Sequence, residues 1–190
     1  LALRQLRNPR NLRKKFFSAI DGMNSNKQLP LTGLPEHRSK ALPLAGLRVV
    51  EFTHMVMGPT CGMVLADLGA EVIKVEPVDG EGTRRLLGAG AGFFAMFNRN
   101  KKSIAIDLRK PQGREVAIRL ASSADVVVQN FKVGGAEKLG LGYEQLSALN
   151  PRLVYCSISG YSRSGGEAQR PGYDLVVQGE SGIMAMNGEA

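Results

Sequence analysis

Cysteine and histidine are scarce: two of each in 190 residues, at Cys61, Cys156, His37 and His54. The cysteines lie far apart with no CxxC partner, which argues against a disulfide framework and a redox dithiol. Two buried thiols in a reducing compartment are expected instead. No familiar zinc spacing joins them to the histidines, so no metal is expected. The chain also lacks an apolar run near the ~20 residues that a bilayer-spanning helix requires, and it shows no signal-peptide core before a cleavage site. A P-loop is excluded because no GxxxxGK[ST] occurs. The first strand-to-helix turn holds one glycine, Gly58, where a dinucleotide fingerprint needs three.

Charge is abundant but unevenly placed. The net charge is +8, yet residues 1–42 carry nine Lys/Arg against two acids, while residues 43–190 carry sixteen against fifteen. The basicity therefore belongs to an N-terminal arm and not to the domain behind it. Residues 1–42 read as a solvated, flexible extension, and neither nucleic acid nor membrane is expected as a partner. An Arg-rich, acid-poor arm also suits targeting sequence. The expected location is the cytoplasm, with the mitochondrial matrix as the alternative.

From Pro43 onward the pattern becomes regular. Short apolar runs at Leu47–Phe52, Glu71–Glu76, Ser103–Leu108, Asp125–Gln129 and Leu153–Ser159 predict five strands. Cys61, Val64, Leu65 and Leu68 recur at helical spacing after Gly58-Pro59, and Gly69 suits the left-handed stop. Pro111 opens a second helix, with Val116, Ala117, Leu120 and Ala121 on one face. A short helix is predicted at Tyr143–Leu149, ending before Pro151. Strands alternating with helices define an α/β, Rossmann-like three-layer domain around a mostly parallel sheet.

Ligands of open α/β sheets sit outside the carboxyl ends of the strands. Here those ends carry "THMVMGP", the segment after Glu76, "NFKVGG" and "SGYSRSGG". Glu76, closing the second strand, is a candidate for a ribose hydroxyl. "NRNKKS" (98–103), Lys132 and Lys138 supply cations suited to phosphate oxygens, and Phe131 suits a base. The competing reading is that these are solvated loop charges.

Four stretches then carry a resemblance: "PLAGLRVVEFTHMVMGPTCGMVLADLGAEVIKVE", "FNRNKKSIAIDLRKPQGRE", "ADVVVQNFKVGGAEKLGLGYEQLSALNPRLVYCSISGY" and "RPGYDLVVQGESG". In this order and spacing they resemble the class III (CaiB/BaiF) CoA-transferases, the family of formyl-CoA transferase and succinate–hydroxymethylglutarate CoA-transferase. The resemblance runs from about Pro43 to the end and excludes residues 1–42. It implies transfer of coenzyme A from an acyl-CoA to a free carboxylic acid, without a metal, in a homodimer of interlocked chains. It further implies that His54, Val56 and Met57 line the CoA channel. Arg109, Asn130, Phe131 and Lys138 fall where family members hold the nucleotide or phosphates of CoA. Pro77 stands where the family carries an arginine, with Arg84 or Arg85 as its candidate substitute.

The family's nucleophile is an aspartate beyond "RPGYDLVVQGESG", whose carboxylate attacks the thioester through a mixed anhydride. No aspartate follows Asp174 in this sequence. The chain is therefore expected to be the front of the large domain, inactive alone, with Tyr173 in a supporting role near the thioester. In the related α-methylacyl-CoA racemases, a histidine that moves the substrate's α-proton stands where Tyr173 is. A phenol near pKa ~10 is a poor base at neutral pH, which favours transferase over racemase. Asp174 reads equally well as a helix-start residue. A racemase-like relative and a non-catalytic CoA- or nucleotide-binding module are the alternatives.

Overall fold

The structure is a computed structural model, and it describes residues 42–187. The N-terminal arm, apart from its last residue, and His37 lie outside the described residues. The strands are β1 (Arg48–Phe52), β2 (Glu71–Glu76), β3 (Lys101–Ala105), β4 (Val126–Gln129) and β5 (Val154–Ser157). The helices are α1 (Met57–Asp67), α2 (Phe93–Phe97), α3 (Pro111–Ser122), α4 (Gly135–Lys138), α5 (Tyr143–Leu149), α6 (Asp174–Glu180) and α7 (Ile183–Asn187). All four strand pairings are parallel, in the order β3-β2-β1-β4-β5. The α/β architecture is the one expected.

Side chains alternate across a strand, so the sheet builds two cores. On one face Val50, Phe52, Val75 and Val127 meet Ala117 and Ala121 of α3, Ala136 of α4 and Leu146 of α5. On the other, Val49, Val72 and Val128 meet Ala66 of α1. Three layers follow from that split. Among the described residues, no helix is long and apolar enough to cross a membrane.

Three details of the expected pattern change. The third strand begins two residues before the "SIAIDL" run and ends three before it does, because the register Val72↔Lys101 to Glu76↔Ala105 draws both lysines into the ladder. Helix α1 buries the predicted Cys61/Val64/Leu65/Leu68 stripe only in part: Cys61 and Leu65 are half-buried against the Val49/Val72 core. Its buried residues are Gly58, Pro59, Gly62 and Ala66, while Val64 and Leu68 are exposed. The sheet beneath α1 carries long charged side chains beside Val49, Val72 and Val128, and over those charges the helix approaches through Gly62. Gly69, at φ 102°, ends it as expected. Cys61 and Cys156 are free and half-buried, not fully buried, and burial pushes the Cys61 thiol pKa up.

Candidate functional site

In this strand order the chain leaves β1 toward β2 on one side, while β4 and β5 lie on the other. The carboxyl ends of β1 and β4 therefore form the topological switch point, where adjacent loops diverge and leave a crevice. The loop from Thr53 to Val56 leaves β1 there, and Asn130 leaves β4. The Asn130 amide closes on His54 from both sides: its Oδ1 accepts from the His54 N–H at 3.1 Å, and its Nδ2 donates to the His54 carbonyl at 2.9 Å. Met55 next in line has φ 66°, a left-handed conformation that costs a non-glycine residue about 1–3 kcal/mol and persists only when its surroundings impose it. Thr60 secures the far side of the loop, giving its N–H at 2.8 Å and its hydroxyl at 2.7 Å to the Val56 carbonyl. Gly58 is required in the same turn: a Cβ there would sit 2.7 Å from the Thr53 Cβ and 3.1 Å from the Asn130 Cγ.

The fold thus brings His54, Val56, Met57, Asn130 and Phe131 together. His54 and Met57 are exposed, Val56 is half-buried, and Phe131 packs its ring 6.3 Å from that of Phe52. Asn130 already spends one donor and its acceptor on the loop backbone. Three other predicted residues stand apart on their own elements. The Arg109 side chain is 89% exposed and folded onto Asp107, with Nε 2.8 Å from Oδ1. Lys138 is exposed at the end of α4, and Tyr173 is 66% exposed just ahead of α6.

The segment around Tyr173 is docked by glycines. Gly172 meets Gly160, which follows β5, so closely that a Cβ on Gly172 would lie 2.7 Å from the Gly160 Cα. Arg170 stacks over the Tyr161 ring at 4.4 Å and pairs with Glu167 and Glu180. Asp174 opens α6 and accepts from Gln178 Nε2 at 2.8 Å.

Sequence reasoning missed a buried ionic cluster on the α1 face of the sheet. Glu51 of β1 lies opposite Lys74 of β2 in register. Lys74 Nζ donates to the Thr53 carbonyl at 2.8 Å, stands 3.4 Å from Glu51 and pairs with Glu81 at 2.6 Å. The Glu81 contact is an ion pair without hydrogen-bond alignment, since neither Glu81 carboxylate oxygen accepts a hydrogen bond. Lys101 reaches in from β3 to Glu51 at 2.9 and 3.1 Å, to the Pro59 carbonyl at 2.7 Å and to Asn98 Oδ1 at 3.1 Å. Burial pushes the Lys101 ammonium pKa down, and Glu51 opposes it. Lys101 is neither a solvated loop charge nor a free phosphate ligand. Lys102, one residue on, is exposed and pairs with Glu71. The overlooked signal was a charge inside each of two apolar runs, "VVEF" and "VIKVE".

Glu76 is also committed. Its carboxylate accepts from Arg84 at 2.7 and 2.6 Å, Ser103 Oγ at 2.6 Å and the Glu81 N–H at 3.1 Å, which leaves no oxygen for a ribose. Arg84, in turn, is held by Glu76 and covers the Phe94 ring at 3.7 Å. Beside them, Pro77, Asp79 and Ala105 help to line an open groove of about 310 Å³. Burial pushes the Glu76 carboxyl upward, but the hydrogen bonds from Arg84, Ser103 and the Glu81 amide outweigh it and hold it at about 2, against an ordinary 4.5. A folded value below the unfolded one stabilises the fold above pH ~4.5 and is lost as pH falls through about 2. The urea midpoint should therefore fall more steeply across this window in the unsubstituted chain than in Glu76→Gln. Parallel curves would count against the assignment.

The parallel sheet, its three layers and the loop clamped at its switch point define an α/β domain of the Rossmann-like class. The sequence model of CoA-transferase family III matches residues 44–190, and the chain belongs to that family. It is 42% identical over 170 residues to a succinate–glutarate CoA-transferase of Agrobacterium fabrum, covering 84% of this chain and 42% of the relative. It is 40% identical over 163 residues to the human succinyl-CoA:glutarate CoA-transferase, covering 83% of this chain and 37% of the relative. A solved CaiB/BaiF family protein from Brucella suis is similar at TM-score 0.74 and 47% identity, over 79% of this chain and 42% of that one. The chain thus spans about two fifths of the length of these relatives. Among the described residues, no group of three or more His, Cys, Asp or Glu is placed to hold a metal ion.

Proposed function

We propose that this chain forms the coenzyme A-binding front of a family III CoA-transferase, which moves CoA from an acyl-CoA to a small carboxylic acid. The observation that carries the reading is the loop at the β1/β4 switch point. Its backbone is gripped by Asn130, and it leaves His54 and Met57 exposed beside half-buried Val56. Such preorganisation lowers the ordering cost of gripping a long, flexible ligand. The names of the relatives support the substrate class: each pairs a CoA donor or its acid with glutarate. Lys138 and Arg109 have exposed ammonium and guanidinium groups suited to the phosphates of CoA. Phe131 and Val56 offer apolar surface to the pantetheine arm. Tyr173 serves as a hydrogen-bond donor near the thioester. The assembled enzyme is proposed to be a homodimer.

Calorimetric titration of CoA into the full chain tests the reading. Binding in the micromolar range is expected. Absence of binding up to about 1 mM CoA, an affinity worth only about 4 kcal/mol, would overturn it.

A further inference from the structure

We propose that Lys101 is a positioning residue for the ligand loop, gripping the β1–α1 connection from beneath through Glu51 and the Pro59 carbonyl. The proposal deepens the transferase reading and rests on it for the identity of the ligand.

An ammonium has three N–H donors, and those of Lys101 face three carriers: the Glu51 carboxylate, the Pro59 carbonyl in the first turn of α1 and Asn98 Oδ1. Its side chain is 2% exposed and Glu51 is 0%. A buried ion pair is weak grounds for stability, because apolar residues of the same volume often serve as well. What an apolar side chain lacks is direction. Lys101 points its charge at one carbonyl of the loop's exit, while Lys74, sharing Glu51, points at the Thr53 carbonyl of the loop's entrance at 2.8 Å. Asn130 holds His54 between them, and Met55 takes its left-handed φ of 66° inside this frame. Both ends of the loop are thus tied to one carboxylate at the centre of the sheet, and the edge strand β3 reaches the ligand side through it.

Lys101→Met in the full chain tests this, with two readouts. The amide resonances of His54, Met55 and Val56 in the folded protein should move, and CoA affinity should fall by about tenfold. A merely structural lysine would lower the melting temperature and leave both readings of the folded state unchanged. Lys102→Met is the control: it breaks only an exposed pair with Glu71 and should leave both within about twofold. Asn98→Ala removes one hold on the ammonium and should shift the same amides to a smaller extent, so the question is answered even if Lys101→Met does not fold. Unmoved loop resonances in a folded Lys101→Met would overturn the proposal. So would unmoved resonances in Asn98→Ala when Lys101→Met does not fold, or an equal loss in Lys102→Met. If the unsubstituted chain binds no CoA, the transferase reading fails, while the resonances still decide whether Lys101 shapes the loop.

Discussion

Lys74→Met is expected to destabilise the chain by about 3–5 kcal/mol, the usual cost of removing one partner from a buried ion pair. Lys74 and Glu51 are 1% and 0% exposed, and among the described residues Glu81 has no other cation at contact distance. The methionine fills the same volume, so packing changes little and the loss is electrostatic. Glu81 is left inside with an unpaired carboxylate, and the Thr53 carbonyl loses its donor. Against the ~5–15 kcal/mol that holds a typical domain together, this is a large share. Urea unfolding followed by circular dichroism measures it. The double variant Lys74→Met/Glu81→Gln should recover part of the loss, because the stranded charge is gone. Arg48→Met supplies the comparison: it breaks an exposed pair with Glu71, worth no more than about 1 kcal/mol. Equal losses in Lys74→Met and Arg48→Met would mean that the buried cluster has been misread.

Gly62→Ala should be almost as severe, by about 3 kcal/mol or more, although it adds a single methyl group. The added Cβ would lie 1.7 Å from Glu51 Oε2 and 3.1 Å from Lys101 Nζ. Carboxylate tips normally swing aside at little cost, but this one is buried and held by two ammonium groups. Either the carboxylate leaves its lysines, or α1 lifts off the sheet and loosens the core around Val49 and Val72. Both routes disturb the loop that α1 terminates, so CoA binding should weaken together with stability. Gly82→Ala is the matched control, since a Cβ there meets nothing within 4 Å among the described residues. A Gly62→Ala chain as stable as Gly82→Ala would show that the helix rides higher than the geometry places it.

Strand content was readable from the residues because it is a local property. Glu71–Glu76 was expected and found with the same bounds, as was the helix Tyr143–Leu149, each set off by glycine or proline. The family was legible because four motifs keep their order from Pro43 to Gly182. Helix α1 was misread for a reason that is not local. Its Val64 and Leu68 have helical spacing, but the surface below is shared between Val49, Val72 and Val128 and the charges of Glu51, Lys74 and Lys101, and only Cys61 and Leu65 of the stripe pack on it. Lys101 was assigned to a loop because two adjacent lysines look solvated. Only pairing with β2 turns one of them inward and its neighbour out.

Patterns of apolar residues, glycines and prolines were enough to establish the five strands, the parallel sheet and the loops on which a ligand would rest. Those signals act between residues a few positions apart, where a linear string shows them directly. Which charges lie inside, and which amides and ammonium groups are already occupied, had to await the folded chain. Glu51 meets Lys74 and Lys101 across separations of 23 and 50 residues. Those meetings depend on strand register, and strand register is created by the collapse of the whole sheet.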